Sequence, residues 1–241
     1  MEVKILSEGW TMSIPEKNVY CIGPEPIPMK MPGSVYSALL DNSLMPDPFY
    51  RENELDACKL MENDFIFTEH FGCGSELMET EKKILRFDGI DTLSEVTLNG
   101  HVLGKTENMH RRYEFDVTGI LKAEDNVLLV KIFSPNRFIR EAYEKVKTCG
   151  SQECMDGFPQ LRKCHCMFGW DWGPRLPDAG IFRPVSVLGI NKARFSDDIR
   201  ITQKHIVDSV GIHGNNTSEV DITVSAVTEP ADVSGAHTDI T

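Results

Sequence analysis

The dipeptide Asn99-Gly100 separates two strand-like segments, Ser94–Leu98 and His101–Gly104. Asparagine and glycine both accept a positive φ, so this pair is the strongest short signal for the two-residue turn of a β-hairpin. The sequence therefore predicts an antiparallel pair of strands at this point.

Other segments of strand-like composition lie on both sides of this hairpin. Residues 65–71 are rich in aromatic and β-branched side chains, residues 83–90 resemble them, and residues 112–117 alternate with a period of two. Short strands at this spacing, separated by turns, are typical of a sandwich or a jelly roll. We therefore expect an all-β fold, a jelly-roll β-sandwich.

Residues 126–133 form a nearly continuous apolar run. A run of this kind is expected of a central strand that is buried on both faces. We predict that Val127, Leu129 and Phe133 lie in the interior of the sandwich.

Two short helices are expected to accompany the strands. Ser34 can cap a helix over Val35–Asp41, whose Val35, Ala38 and Leu39 form one apolar side. Asn136 opens a second predicted helix over residues 137–145.

The character of the chain changes after Ile190. A polar junction is followed by the strand-like residues 199–203, a turn at residues 213–216 and an alternating segment at 220–227. This pattern is typical of the start of an immunoglobulin-like β-sandwich, which needs about 100 residues in total. We expect residues 1–191 to form the jelly-roll domain and residues 192–241 an incomplete immunoglobulin-like β-sandwich.

The formal net charge of −12 argues against a nucleic-acid backbone or an anionic membrane as a partner. No apolar run reaches membrane-spanning length, and residues 1–8 do not resemble a signal peptide. The odd number of cysteines, seven, then favours reduced thiols. The expected location is the cytoplasm.

Five potential metal ligands occur within 18 residues of one another in the middle of the chain. They are Cys149, Cys154, Cys164, His165 and Cys166. Their spacing lacks the paired C-x₂-C motif of a structural zinc site, and the first and last residues of Cys-His-Cys would point in opposite directions on a strand. We expect neither a metal nor a cofactor, and we expect His165 to pack on a strand rather than to act as a base.

Two of the three tryptophans flank an acidic residue in the run Trp170-Asp171-Trp172-Gly173-Pro174. Gly-Pro disfavours an ordinary strand, so the run is predicted to form a loop tip. Apolar sugar faces pack on indole rings, and a carboxylate accepts hydrogen bonds from neighbouring hydroxyls. Alternatively, the indoles plug one end of the sandwich and Asp171 caps a turn. The run alone leaves both interpretations open.

This run occurs in order with three other matching segments, 31–40, 44–54 and 180–185. Together they resemble the N-terminal portion of the β-mannosidases of glycoside hydrolase family 2, which retain configuration at the cleaved bond. The resemblance covers about the first 190 residues. It implies a galactose-binding-like jelly roll and a β-mannoside oligosaccharide or glycoside as substrate.

The resemblance also implies roles for individual residues. Trp170 would supply an aromatic wall of the sugar pocket, Asp171 would accept hydrogen bonds from sugar hydroxyls, and Trp172 would anchor the tip. In the family, both catalytic glutamates lie on a (β/α)₈ barrel beyond the immunoglobulin-like domain. No position here matches them, and Asn53-Glu54 is interpreted as structural. We therefore expect the chain to pack on such a barrel and to be inactive alone.

Two alternatives belong to other functional classes. One is a free-standing carbohydrate-binding module, which a jelly roll with exposed tryptophans would suit. The other is a family 2 enzyme of different specificity, a β-galactosidase or a β-glucuronidase. The Trp-Asp-Trp-Gly-Pro run favours a β-mannosidase.

Overall fold

The computed structural model describes residues 1–196, 199–211 and 214–231. The chain divides into two compact units, residues 2–189 and residues 190–241, and Met1 is grouped with the second. Within the described residues, no helix is long and apolar enough to cross a membrane.

Residues 2–190 contain fourteen strands and four α-helices, most of them short. In chain order they are β1 Glu2–Ile5, β2 Thr11–Ser13, β3 Ile27–Pro28, β4 Gly33–Ser34, α1 Val35–Asp41, α2 Asn53–Leu60, β5 Phe65–Phe71, α3 Ser75–Met78, β6 Lys82–Phe87, β7 Ser94–Leu98, β8 His101–Thr106, β9 Tyr113–Asp116, β10 Asn126–Ile132, α4 Pro135–Lys145, β11 Phe168–Trp170, β12 Gly173–Arg175, β13 Gly180–Ile181 and β14 Val185–Ile190. Two 3-10 helices, Phe158–Gln160 and His165–Met167, lie between α4 and β11.

Ten of these strands form the two antiparallel sheets of a sandwich. One sheet has the order β3-β2-β5-β10-β7-β8, and the other has the order β1-β14-β6-β9. Strand β5 pairs with β10 along its whole length, from Phe65 opposite Ile132 to Phe71 opposite Asn126. The prediction of an all-β jelly-roll sandwich is confirmed.

The predicted hairpin is also confirmed. Leu98 of β7 faces His101 of β8, and the turn residues Asn99 and Gly100 have φ values of 52° and 82°. These positive angles are the reason for the Asn-Gly pair. The Asn99 side chain adds to the turn by donating to the Ile120 carbonyl at 2.9 Å.

The core lies between the two sheets and is formed by alternate residues of the strands. On β5 the buried face carries Phe65, Phe67 and Phe71. The prediction for β10 was wrong by one residue. Leu128, Val130 and Ile132 are fully buried, whereas Leu129 and Phe133 are half-buried and Val127 is 36% exposed. Strand β10 is therefore buried on only one face. Because almost all of its residues are apolar, the sequence alone does not show which face this is.

Helix α1 is observed over the predicted residues. The Ser34 hydroxyl accepts from the Ser37 amide, and Ser37 in return accepts from the Ser34 amide, which completes a capping box. Helix α4 begins at Pro135 rather than at residue 137, because the Ser134 hydroxyl accepts from the Arg137 amide. Helix α2 has no clear signal in the sequence, and only Ala57 and Leu60 of this helix are buried.

The described residues of the second unit form two antiparallel pairs of strands. Strand β15 Ala193–Phe195 pairs with β18 Thr228–Pro230, and β16 Arg200–Gly211 pairs with β17 Gly214–Ser225. The predicted turn at 213–216 was placed too late, because residues 214–216 already belong to β17. The remaining residue of that turn, 213, lies outside the described residues.

Candidate functional site

The tryptophan run forms a β-hairpin. Phe168 of β11 pairs with Arg175 of β12, and Trp170 pairs with Gly173, so Asp171 and Trp172 make the connection. Gly-Pro was expected to disfavour an ordinary strand here. It is accommodated because a two-stranded ribbon consists only of edge strands, in which proline is tolerated.

We call Trp170, Asp171 and Trp172 the tip. Trp170 is 47% exposed, Trp172 is 77% exposed and Asp171 is also exposed. No described residue forms a hydrogen bond or an ion pair with the Asp171 carboxylate. The alternative of two indoles plugging the sandwich therefore fails. The expected anchoring by Trp172 is also absent within this chain, because its ring is largely in solvent.

The base of the hairpin is tightly packed, in contrast to its tip. Phe168 is fully buried in a small cluster with Ile139 of α4 and Leu161. Its carbonyl accepts from the Met155 amide at 3.0 Å, which ties β11 to the preceding loop. Cys154 of the same loop makes a second contact with β11, because its thiol donates to the Gly169 carbonyl.

Arg175 joins the other strand of the hairpin to two neighbouring segments. Its guanidinium donates from Nε and Nη2 to the Glu153 carbonyl at 3.2 and 2.9 Å. Its main-chain amide donates to Glu54 Oε1 of α2 at 2.8 Å. Glu54 therefore holds the hairpin in place, a contact that the sequence did not reveal.

Gly169 allows this arrangement. Its φ is +97°, and a Cβ at this position would lie 2.6 Å from Arg175 Cγ. A side chain at residue 169 would therefore both strain the backbone and displace the arginine.

A buried lysine connects the chain before the hairpin with the chain after it. Lys163 is 2% exposed, and its ammonium group forms an ion pair with the Asp91 carboxylate and donates to the Asp178 carbonyl. The Asp178 carboxylate accepts from the amides of Tyr36 and Ala179 at 3.1 and 2.8 Å. Burial raises the pKa of Asp178 to about 6, although these hydrogen bonds and Lys163 act in the opposite direction.

Sequence reasoning missed Lys163, Asp91 and Asp178. Lys163 precedes the hairpin and Asp178 follows it. The hydrogen bond from the Lys163 ammonium group to the Asp178 carbonyl therefore joins the two sides of the hairpin-bearing segment 163–178. A charged residue directly before the Cys-His-Cys motif was the one available signal, and sequence alone does not distinguish it from a solvated lysine.

The Cys-His-Cys motif lies at the start of a 3-10 helix, with Cys164 as the N-cap, and not on a strand as predicted. His165 is exposed, and its ring contacts Phe158 edge-to-face with centroids 4.9 Å apart. The two cysteines consequently lie on the same side, with their Sγ atoms 3.3 Å apart. Among the described residues, no group of three or more potential ligands is arranged to hold a metal ion.

The chain also contains an open cleft of about 540 Å³ between β8, β9 and α4. Its lining includes Tyr113, Phe133, Arg137 and Glu141, and no tip residue. The tip is therefore not part of this cleft.

Comparison with protein families identifies residues 10–183 as a match to the family described as glycosyl hydrolase 2 galactose-binding domain-like. The β-mannosidases of Capra hircus and Bos taurus are each 37% identical over 175 residues, which cover 68% of this chain and 20% of each relative. The chain thus spans about a fifth of the length of the curated relatives that it matches.

Solved structures show the same architecture. The β-D-mannosidase of Dictyoglomus thermophilum superposes with a TM-score of 0.77 and 29% identity, covering 95% of this chain and 31% of that one. The β-glucuronidase of Bifidobacterium dentium has a TM-score of 0.60 at 23% identity, covering 95% of this chain and 36% of its own, and shares the fold. The chain belongs to the glycosyl hydrolase 2 galactose-binding domain-like family.

Proposed function

We propose that this chain is the N-terminal part of a retaining β-mannosidase that hydrolyses terminal, non-reducing β-D-mannose residues. The observation that carries the proposal is its 37% identity to proteins named β-mannosidase. The solved β-D-mannosidase, with its TM-score of 0.77, supports the same substrate class.

The chemistry of the tip supports a role in holding the sugar. An exposed indole presents a flat surface to the apolar face of a pyranose ring, and the Trp170 side chain is 47% exposed, which leaves it available for such a contact. The Asp171 carboxylate can accept hydrogen bonds from two sugar hydroxyls, and no described residue competes for its oxygens. Trp172 adds a second aromatic surface at the end of the hairpin.

Retaining hydrolysis needs two carboxyl groups about 5 to 5.5 Å apart, one as nucleophile and one as acid and base. We place both on a (β/α)₈ barrel outside this chain, a fold that needs about 250 residues. The sandwich would dock on that barrel, and residues 192–241 would begin an immunoglobulin-like domain between them. The tip then forms one wall of a pocket whose other wall is the barrel, and this chain alone has no activity.

The proposed compartment is the cytoplasm. All seven cysteines are free in the structure, which suits a reducing environment.

The test is a substrate panel on the full-length protein that carries this chain. Aryl β-mannoside, β-galactoside and β-glucuronide are compared by kcat/KM, and the mannoside is expected to be preferred. A preference for either of the other substrates would contradict the proposal in favour of a different family 2 specificity. Sugar binding without turnover of any substrate would favour a carbohydrate-binding module.

The isolated 241-residue chain is the matched control for this panel. We expect no hydrolysis above background, because a binding wall does not replace an acid and a nucleophile. Robust turnover that is abolished by a substitution within this chain would contradict the placement of the catalytic residues.

A further inference from the structure

Two cysteine sulfurs lie against each other immediately before the hairpin. The Sγ atoms of Cys164 and Cys166 are 3.3 Å apart, and this is the one contact between cysteine sulfurs in the described part of the chain. A disulfide bond is about 2.05 Å long, so bond formation requires the two sulfurs to approach each other by roughly a further 1.2 Å.

The two thiols differ in accessibility. Cys166 is exposed, whereas Cys164 is half-buried and its amide lies 2.8 Å from the Met109 sulfur. Hydrogen bonding to the Cys166 sulfur, together with burial, raises the pKa of the Cys164 thiol. An incoming reagent therefore meets Cys166 first, and Cys164 is held behind it as a thiol.

We propose that Cys164 and Cys166 form a dithiol site that small-molecule disulfides oxidise to an intramolecular disulfide. This proposal goes beyond the glycosidase function and does not depend on it. An exposed attacking thiol with a second thiol in contact is the arrangement that reversible thiol–disulfide exchange requires.

The exchange proceeds in two steps. The Cys166 thiolate attacks one sulfur of the small disulfide, so a mixed disulfide forms and one small thiolate leaves. The Cys164 sulfur then attacks the Cys166 sulfur, the protein S–S bond forms, and the second small thiolate leaves while the Cys164 proton passes to solvent. The two cysteines lose two electrons, and the small disulfide is reduced to two thiols.

Because the two cysteines lie next to the hairpin, their oxidation can be followed by tryptophan fluorescence. Strand β11 begins at Phe168, two residues after Cys166, and ends at Trp170, the first residue of the exposed tip. Closing the bridge changes the turn from which this strand emerges. Oxidation is therefore expected to alter the fluorescence of the tip indoles, and a thiol reductant is expected to restore it.

The sequence allows a direct chemical test. Trypsin cleaves after Lys163 and after Arg175, which releases residues 164–175 as one peptide with two cysteines and no others. The full-length protein is incubated with oxidised glutathione, its remaining thiols are alkylated, and it is digested without reduction. We expect this peptide to lack alkyl groups and glutathione and to have lost two hydrogen atoms.

Two exposed cysteines in the same chain, Cys21 and Cys149, are internal controls. They are expected to retain glutathione, because no second thiol contacts them within the described part of the chain. In a Cys164→Ser variant, Cys166 is likewise expected to retain glutathione. The change in tryptophan fluorescence on oxidation should be lost in this variant.

Recovery of peptide 164–175 with two alkyl groups or two glutathiones, while Cys21 and Cys149 react, would overturn the proposal. The same holds if the Cys164→Ser variant shows no stable adduct on Cys166. If that variant fails to fold, the peptide from the unsubstituted protein still decides the question.

Discussion

The sandwich and the tip use the same kind of residue in opposite ways. In β5, Phe65 and Phe67 are fully buried between the sheets, whereas Trp170 and Trp172 extend from the hairpin into solvent. Burying a large aromatic side chain stabilises a fold by several kcal/mol, and an exposed one contributes little of that energy. The aromatic residues of the tip are therefore not explained by stability, which is the reason we propose that they bind substrate.

The largest expected difference compares one aromatic residue from each region. Phe67→Ala in the core of the sandwich should lower the free energy of unfolding by about 3 to 5 kcal/mol, because it leaves a cavity. Trp172→Ala at the tip should change it by no more than about 0.5 kcal/mol. Urea unfolding of the isolated chain measures both, and equal losses would show that the tip is part of the folded core.

The base of the hairpin should behave like the core and not like the tip. Asp91→Ala leaves the Lys163 ammonium group buried without its carboxylate, and we expect a loss of about 3 kcal/mol. The control is Asp41→Ala, which removes an exposed ion pair with Lys30 and should cost no more than about 1 kcal/mol. A small effect of Asp91→Ala would mean that the two ends of segment 163–178, which carries the hairpin, are held by other contacts.

The sandwich also contains a buried carboxyl group that opposes folding at high pH. Glu69 lies on the inner face of β5, and its Oε2 atom has no hydrogen-bond partner among the described residues. Burial raises its pKa to about 7, and the nearby Lys4 only partly opposes this shift. The folded state thus binds the Glu69 proton more tightly than the unfolded state, so stability is greatest below the unfolded pKa and falls as pH rises through about 7.

Glu69→Gln removes this dependence. We expect the variant to match the original chain near pH 4 and to be more stable by about 1 to 2 kcal/mol near pH 8. Unfolding curves at several pH values check this, with the exposed Glu8→Gln as a control that should show no such trend. A variant that is less stable at pH 8 would show that the Glu69 carboxylate has a stabilising partner.

The comparison of the two regions also shows what the sequence could predict. Helix α1 and strand β5 were predicted with their observed bounds, because a serine cap and alternating aromatic residues are local signals. The buried face of β10 was not, since apolar residues fill almost every position from Val127 to Ile132 and conceal the period of two. Which of its faces is buried depends on pairing with β5 and β7, which is not encoded locally.

The tip was recognised from its sequence, but its support was not. Arg175, Glu54 and Lys163 act through partners that are distant in the chain, such as Asp91, 72 residues from Lys163. Such pairs carry no local pattern. The proximity of Cys164 and Cys166 was missed for a different reason, because a 3-10 turn places on one side the two residues that a strand would separate.

The most direct test of the proposed sugar-binding role of the tip is a paired measurement on Asp171→Asn in the full-length protein that carries this chain. Its melting temperature and its kcat/KM for an aryl β-mannoside are compared with those of Asp156→Asn, an exposed aspartate outside the tip. We expect Asp171→Asn to leave the melting temperature unchanged and to lower kcat/KM about ten- to a hundredfold, because a charged hydrogen-bond acceptor is lost from a desolvated site. Asp156→Asn should change neither. A lower melting temperature for Asp171→Asn with unchanged kcat/KM would contradict the assignment of the tip to substrate binding.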